Sequence, residues 1–166
     1  MAHRHETGTS LIEVLITISV LSFGLLGIAG LQISAIANTH IAYQYSQAAS
    51  LAQSIAENLR ANQAAAVAGL YQHSPDAKAP AINKKCSAAS CTAAEMAAWN
   101  IATWHTALNE NLPESRLSIT CPTTCSSQSI RLITIYWDAK RNGATGTGCN
   151  PASTSDLSCF RLASIP

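Results

Sequence analysis

Charged side chains leave this sequence early and stay away for a long stretch. Positions 14–56, 43 residues in a row, hold no Asp, Glu, Lys or Arg. Within that run, Val14 to Ala37 is apolar or glycine except at Thr17, Ser19, Ser22, Gln32 and Ser34. About 20 apolar residues cross the ~30 Å hydrocarbon core of a bilayer, so a membrane span over about 14–37 is predicted. No proline occurs before Pro75, so nothing stops one helix from continuing. At ~1.5 Å per residue the charge-free run would be ~65 Å long, roughly twice the hydrocarbon thickness. Its second half must therefore find another environment. Ile41, Tyr45, Ala48, Ala52, Ile55 and Leu59 follow one another at steps of 4, 3, 4, 3 and 4, one stripe of an amphipathic helix. Gln44, Gln47, Ser50, Gln53 and Ser54 fall mainly off it. The same helix is expected to cross a membrane first and then lay a face on a globular domain. A cleaved secretory signal would have an apolar core of only about 7–15 residues.

The rest of the chain changes character. From Gly69 to Ser90 it is rich in Ala, Pro, Lys and Ser without periodicity, which predicts a loop. Thr92-Ala93-Ala94-Glu95 has the form of a capping box. Ala97, Ile101, Trp104, Leu108 and Leu112 then mark the apolar face of a second helix, and Pro113 ends it. Strands are predicted over Arg116–Cys121, Ile130–Asp138 and Cys159–Ala163. In the longest, Arg131, Ile133, Ile135 and Trp137 alternate with Leu132, Thr134 and Tyr136, a central antiparallel strand. The expected fold class is α+β: a long N-terminal helix packed on a small antiparallel sheet with a second, short helix. The expected organisation is a leader over 1–8, the long helix over 9–62 and an exported domain over 63–166.

Composition sharpens the picture. Charged residues are 11% of the chain against the usual ~25%, which argues against a disordered acidic tail or a coiled coil laced with ion pairs. Net charge is +1, with four lysines and six arginines scattered along the chain, so no basic stripe points to nucleic acid. Six cysteines in 166 residues suit an oxidising compartment. Six allow fifteen connectivities, and sequence alone does not select one. The favoured pairs are Cys86–Cys91, Cys121–Cys125 and Cys149–Cys159, because each encloses a short, loop-like segment. The competing idea is zinc held by Cys86, Cys91, Cys121, Cys125 or His105. The x4 and x3 spacings fit zinc motifs only loosely, and export favours oxidation.

Catalytic signatures are missing: there is no GxSxG, HExxH or CxxC. Gly143-Ala144-Thr145-Gly146-Thr147-Gly148 follows a strand but leads into Cys149-Asn150-Pro151. Without a helix behind it, the segment is expected to be a flexible loop, not a phosphate cradle. His73 and His105 stand apart in sequence and read as structural or exposed. Trp99 and Trp104, five apart on one helix, read as core anchors. No enzyme, metal or cofactor is expected.

Ahead of the apolar run stands Gly8-Thr9-Ser10-Leu11-Ile12-Glu13, after a leader containing His3, Arg4 and His5. This hexapeptide resembles the class III signal of type IV prepilins. The resemblance implies that prepilin peptidase cuts between Gly8 and Thr9 and methylates the new amine of Thr9. Glu13 then has a role of its own. A carboxylate at the head of an apolar helix suits the helix dipole, but at the bilayer centre it costs up to about 2.5–3.5 kcal/mol. By the resemblance its partner is an N-terminal amine, its own one turn away or a neighbour's. Leu25-Leu26-Gly27-Ile28-Ala29-Gly30-Leu31-Gln32 and Glu57-Asn58-Leu59-Arg60-Ala61-Asn62 are similar to stretches of PilV-type minor pilins, the type IV pilus modification proteins.

That similarity implies a minor pilin in the inner membrane, its C-terminal domain in the periplasm, later extracted into a pilus on the cell surface. It would promote pilus assembly, adhesion or twitching motility from a priming or tip-proximal complex. Implied partners are prepilin peptidase, other minor pilins, the major pilin, the inner-membrane assembly platform and, before assembly, membrane lipid. Two rivals share these features: a minor pseudopilin of type II secretion, and a pilus-borne adhesin or DNA-binding module.

Overall fold

The computed structural model describes residues 10–166, and they fall into two units, one ending at Ile41 and one spanning Ala42–Pro166. Helix α1 runs from Leu11 to Ala61, as the charge-free and proline-free run predicts. In the first unit its side chains are exposed on every face. In the second unit it is amphipathic: Ala48, Ala52, Ile55, Ala56 and Leu59 are buried. Tyr45, expected on the stripe, and Gln44, expected off it, exchange roles. Gln44 is 3% exposed, whereas Tyr45 is 41% exposed. The reason is chemical: Gln44 Oε1 accepts the indole N–H of Trp137, itself fully buried, at 3.1 Å. A buried indole N–H needs an acceptor, and an alternation rule that treats Gln as polar cannot see that requirement.

The helix does not stop at Asn62 but restarts as a single further turn, α2 (Gln63–Val67), which the sequence pattern did not suggest. Gly69 ends it with φ +73°. The Gly69 N–H reaches Ala66 O and the Leu70 N–H reaches Ala65 O, the paired bonds of a Schellman ending, where only glycine takes the left-handed conformation without cost.

Helix α3 spans Ala93–Asn111. Its capping box is complete: Thr92 Oγ1 accepts the Glu95 N–H at 3.3 Å, and the Glu95 carboxylate accepts the Thr92 N–H at 2.7 Å. These bonds hold the Glu95 carboxyl below its usual range, helped by Lys84 nearby. Strands β1 (Arg116–Thr120), β2 (Arg131–Trp137) and β3 (Ser158–Ser164) form one antiparallel sheet in the order β1-β2-β3. Register runs from Arg116 opposite Tyr136 to Thr120 opposite Leu132, and from Arg131 opposite Ser164 to Trp137 opposite Ser158. The long strand is central, so residues on both of its faces are buried.

One core joins the elements of this unit. Ala48, Ala52, Ile55 and Leu59 of α1 meet Ile101, Trp104 and Leu108 of α3, with Ile119, Ile133, Ile135 and Trp137 from the sheet. A small second cluster, Tyr136, Ala144 and Leu157, packs against Cys149 and Cys159.

Candidate functional site

The head of α1 carries the first candidate. Ser10 O accepts the N–H groups of Glu13 and Val14 at 3.0 and 3.3 Å, starting the helix so that Glu13 lies in its first turn. Gly8 and Thr9, the expected processing and methylation positions, lie outside the described residues, as does the leader. On either side of Glu13 stand fifteen exposed large apolar side chains, from Leu11 to Ile36. At about 1.5–3 kcal/mol each, covering them completely is worth at most about 20–45 kcal/mol, more than the ~5–15 kcal/mol that holds an ordinary domain together. Helix α1 is long and apolar enough to cross a membrane.

Four hydroxyls on this surface are satisfied within the helix. Thr17 donates to Val14 O, Ser19 to Leu15 O, Ser22 to Ile18 O, and Ser34 to Gly30 O, at 2.7–3.2 Å. Hydroxyls that bond back to the preceding turn present no unmet polar group to an apolar medium. No heavy atom outside the helix backbone comes within 4 Å of where a Cβ would stand on Gly24, Gly27 or Gly30. Chemically the surface offers one carboxylate and an apolar cylinder. It can enter lipid or pack against similar helices.

The second unit, Ala42–Pro166, holds the remaining candidates. Its sulfurs are paired as Cys86–Cys91, Cys121–Cys125 and Cys149–Cys159, so none of the six is a thiolate available to zinc. Among the described residues, no three of His, Cys, Asp or Glu gather into a metal-binding group. The glycine-rich segment, expected to be flexible, is tied down instead. The Thr145 and Gly146 N–H groups donate to Ser155 O, and the Leu157 N–H to Gly146 O, at 2.8–3.1 Å. The Asp156 carboxylate accepts the Asn150 N–H at 3.1 Å and lies where a Cβ on Gly146 or Gly148 would stand. The glycines make room for a carboxylate of the chain itself. Beside this loop is an open groove of about 410 Å³, lined by Pro113, Glu114, Arg116, Asp138, Arg141 and Thr145 among others. Its charges are largely engaged: Arg116 pairs with Asp76 at 2.6 Å, and Asp138 accepts the Asn142 and Gly143 N–H groups.

Two groupings escaped the sequence reading. Arg131, 1% exposed, is buried on the core face of β2. Its guanidinium donates to Ala66 O, Ser126 O and Ser129 O at 2.7–3.0 Å, and to the Ser129 hydroxyl. The second grouping is aromatic. Tyr71 stacks on Trp104 with centroids 5.5 Å apart, and its hydroxyl accepts from Asn62 and Asn100 at 3.0 and 2.8 Å. Burial pushes the Tyr71 hydroxyl above its usual pKa. Two residues after Tyr71, His73 meets His105 with their Nε2 atoms 2.8 Å apart. Trp104 is thus a core anchor, while Trp99 is half-buried.

Residues 30–102 match the Tt1218-like family model, described as Type IV pilin Tt1218. The matched segment takes in the second half of α1, α2, the loop with Cys86–Cys91 and the first half of α3. No curated protein and no solved structure matches the chain.

Proposed function

We propose that this chain is a type IV pilin and, more narrowly, a minor pilin of the PilV type; the match of residues 30–102 to a type IV pilin family model and the long helix on an antiparallel sheet support that reading. Prepilin peptidase removes residues 1–8 and methylates Thr9. The processed chain waits in the inner membrane, α1 crossing it over about 14–37 and the C-terminal domain in the periplasm. The assembly platform then moves it into a pilus beside other minor pilins and the major pilin. It acts as a structural subunit that promotes pilus assembly, and through the pilus adhesion or twitching.

One observation carries this reading: fifteen large apolar side chains, Leu11 to Ile36, stand exposed along the first half of α1, around the one acidic residue of that half, Glu13. Lipid covers that cylinder before assembly, and neighbouring helices cover it afterwards. In the second environment a buried carboxylate must meet a cation or take up a proton. The methylated amine of an adjacent subunit supplies the cation. A subunit at the extreme tip has no neighbour above it to offer that amine, so the presence of Glu13 supports a position just below the tip or in a priming complex with other minor pilins.

Glu13→Ala tests the assignment. Removing a charge eases insertion, so the variant enters the membrane. It is expected to lose co-purification with partner minor pilins and to lower the number of surface pili. Wild-type recovery of both refutes the role of Glu13. Loss of insertion would place the defect before assembly.

A further inference from the structure

His73 and His105 are 32 positions apart and are brought together by backbone pairing. The His73 N–H donates to Ile119 O, and the Ile119 N–H donates to His73 O, both at 2.9 Å. This bridge lays the chain after Tyr71 against the outer edge of β1, facing α3. The imidazoles meet edge to face, centroids 4.8 Å and Nε2 atoms 2.8 Å apart. An imidazole nitrogen lies about 1.1 Å from its ring centre, so the two nitrogens point almost directly at each other. A metal ion shared between them would need ~2.0–2.1 Å on each side, which this separation and this head-on direction do not allow. What fits between them is one proton.

Proton counting needs no choice of tautomer, since either Nε2 can be the donor. The accepting ring has a lone pair on Nε2 and its own proton on Nδ1. The one basic nitrogen left in the neutral pair is Nδ1 of the donating ring. A first added proton can go there and leave the bond intact. A second must go to the accepting Nε2, where two N–H groups would face each other at 2.8 Å. The closed pair holds one charge and the open pair holds two.

We propose that the His73–His105 pair is an acid-opened latch that fastens the start of the 74–91 segment, and with it the cover over the β1 edge, to α3. Beyond His73 this segment is mostly exposed and sparsely tied. Its other side-chain anchors are the Asp76–Arg116 ion pair to β1 and the longer Lys84–Glu95 pair to α3, with Cys86–Cys91 closing a loop inside it. The charged groups on the packed elements do not stabilise a protonated ring. Asp76 is held by Arg116 and Glu95 by its cap and Lys84, and Lys78, Lys85 and Glu110 make no hydrogen bond or ion pair with either imidazole among the described residues. Burial lowers the pKa of both rings, and the charge of His73 lowers that of His105 further. A base whose folded pKa is depressed is bound less well by protons in the closed form. Stability of the latch is therefore full above the ordinary histidine range, about pH 6.5, and is lost as pH falls below it.

The test is amide hydrogen exchange on the full chain in detergent micelles between pH 7.5 and pH 5, corrected for the intrinsic pH dependence of exchange. Protection of the His73 and Ile119 amides is expected to fall by up to about tenfold per pH unit on the acid side, the slope for one extra proton in the open form. The β2 amides of Ile133 and Ile135 should keep theirs. In His105→Gln the amide can present N–H to neutral His73 or C=O to its protonated form, so protection should no longer depend on pH. His73→Gln should behave alike. A flat wild-type profile overturns the latch, as does an unchanged acid slope in both Gln variants.

Discussion

Replacing Gln44 by Met removes the acceptor through which α1 is fastened to the sheet. The two side chains are similar in length and volume, so the substitution removes the acceptor without opening a large cavity. Trp137 is fully buried and its indole N–H reaches Gln44 Oε1 at 3.1 Å. With Met in place, that donor stays buried and unpaired at a cost of about 1–3 kcal/mol. For a compact unit spanning Ala42–Pro166, each kcal/mol is about 3–5 °C in Tm, so a fall of roughly 3–15 °C is expected. Near-UV circular dichroism of the full chain in detergent is the appropriate signal, because the membrane half of α1 keeps its helicity when tertiary packing melts. Trp137→Phe removes the donor instead. Since both single changes break the same bond, the double variant should lose less than the sum of the two. An unchanged Tm in Gln44→Met, or strict additivity in the cycle, refutes the claim that this bond fixes the helix on the sheet.

Two further outcomes follow from the same unit. Arg131→Met leaves Ala66 O, Ser126 O and Ser129 O without their donor and should destabilise the fold by about 3–5 kcal/mol, read by denaturant unfolding. Peptide mapping without reductant should recover Cys86–Cys91, Cys121–Cys125 and Cys149–Cys159, and replacing Cys149 and Cys159 together by Ser should cost about 2–3 kcal/mol under the chain-entropy model. Crossed pairs or free thiols would contradict the pairing.

What the sequence discloses here, and what it hides, divides by the range of the interaction. The 51-residue helix follows from absent charges and an absent proline, both local facts. The capping box of α3 is a four-residue pattern, and it forms as written. The strands lie within one residue of their expected ends, because the alternation of Arg131, Ile133, Ile135 and Trp137 is strong. Gln44 was misplaced because its burial depends on an indole 93 positions away. The His73–His105 pair was read as two unrelated rings because only the His73–Ile119 bridge brings them together. The buried Arg131 has no acidic partner to give it away; it is held by carbonyls, which every sequence has.

The central claim is that this chain leaves the membrane and becomes part of a filament. Mass spectrometry of surface pili sheared from cells, with the membrane fraction analysed alongside, tests it most directly. The account predicts a pilus-borne chain whose first residue is N-methylated Thr9 and which carries the disulfide-bonded domain. A chain found only in the membrane fraction, or one still carrying Met1–Gly8 where prepilin peptidase is active, would contradict it.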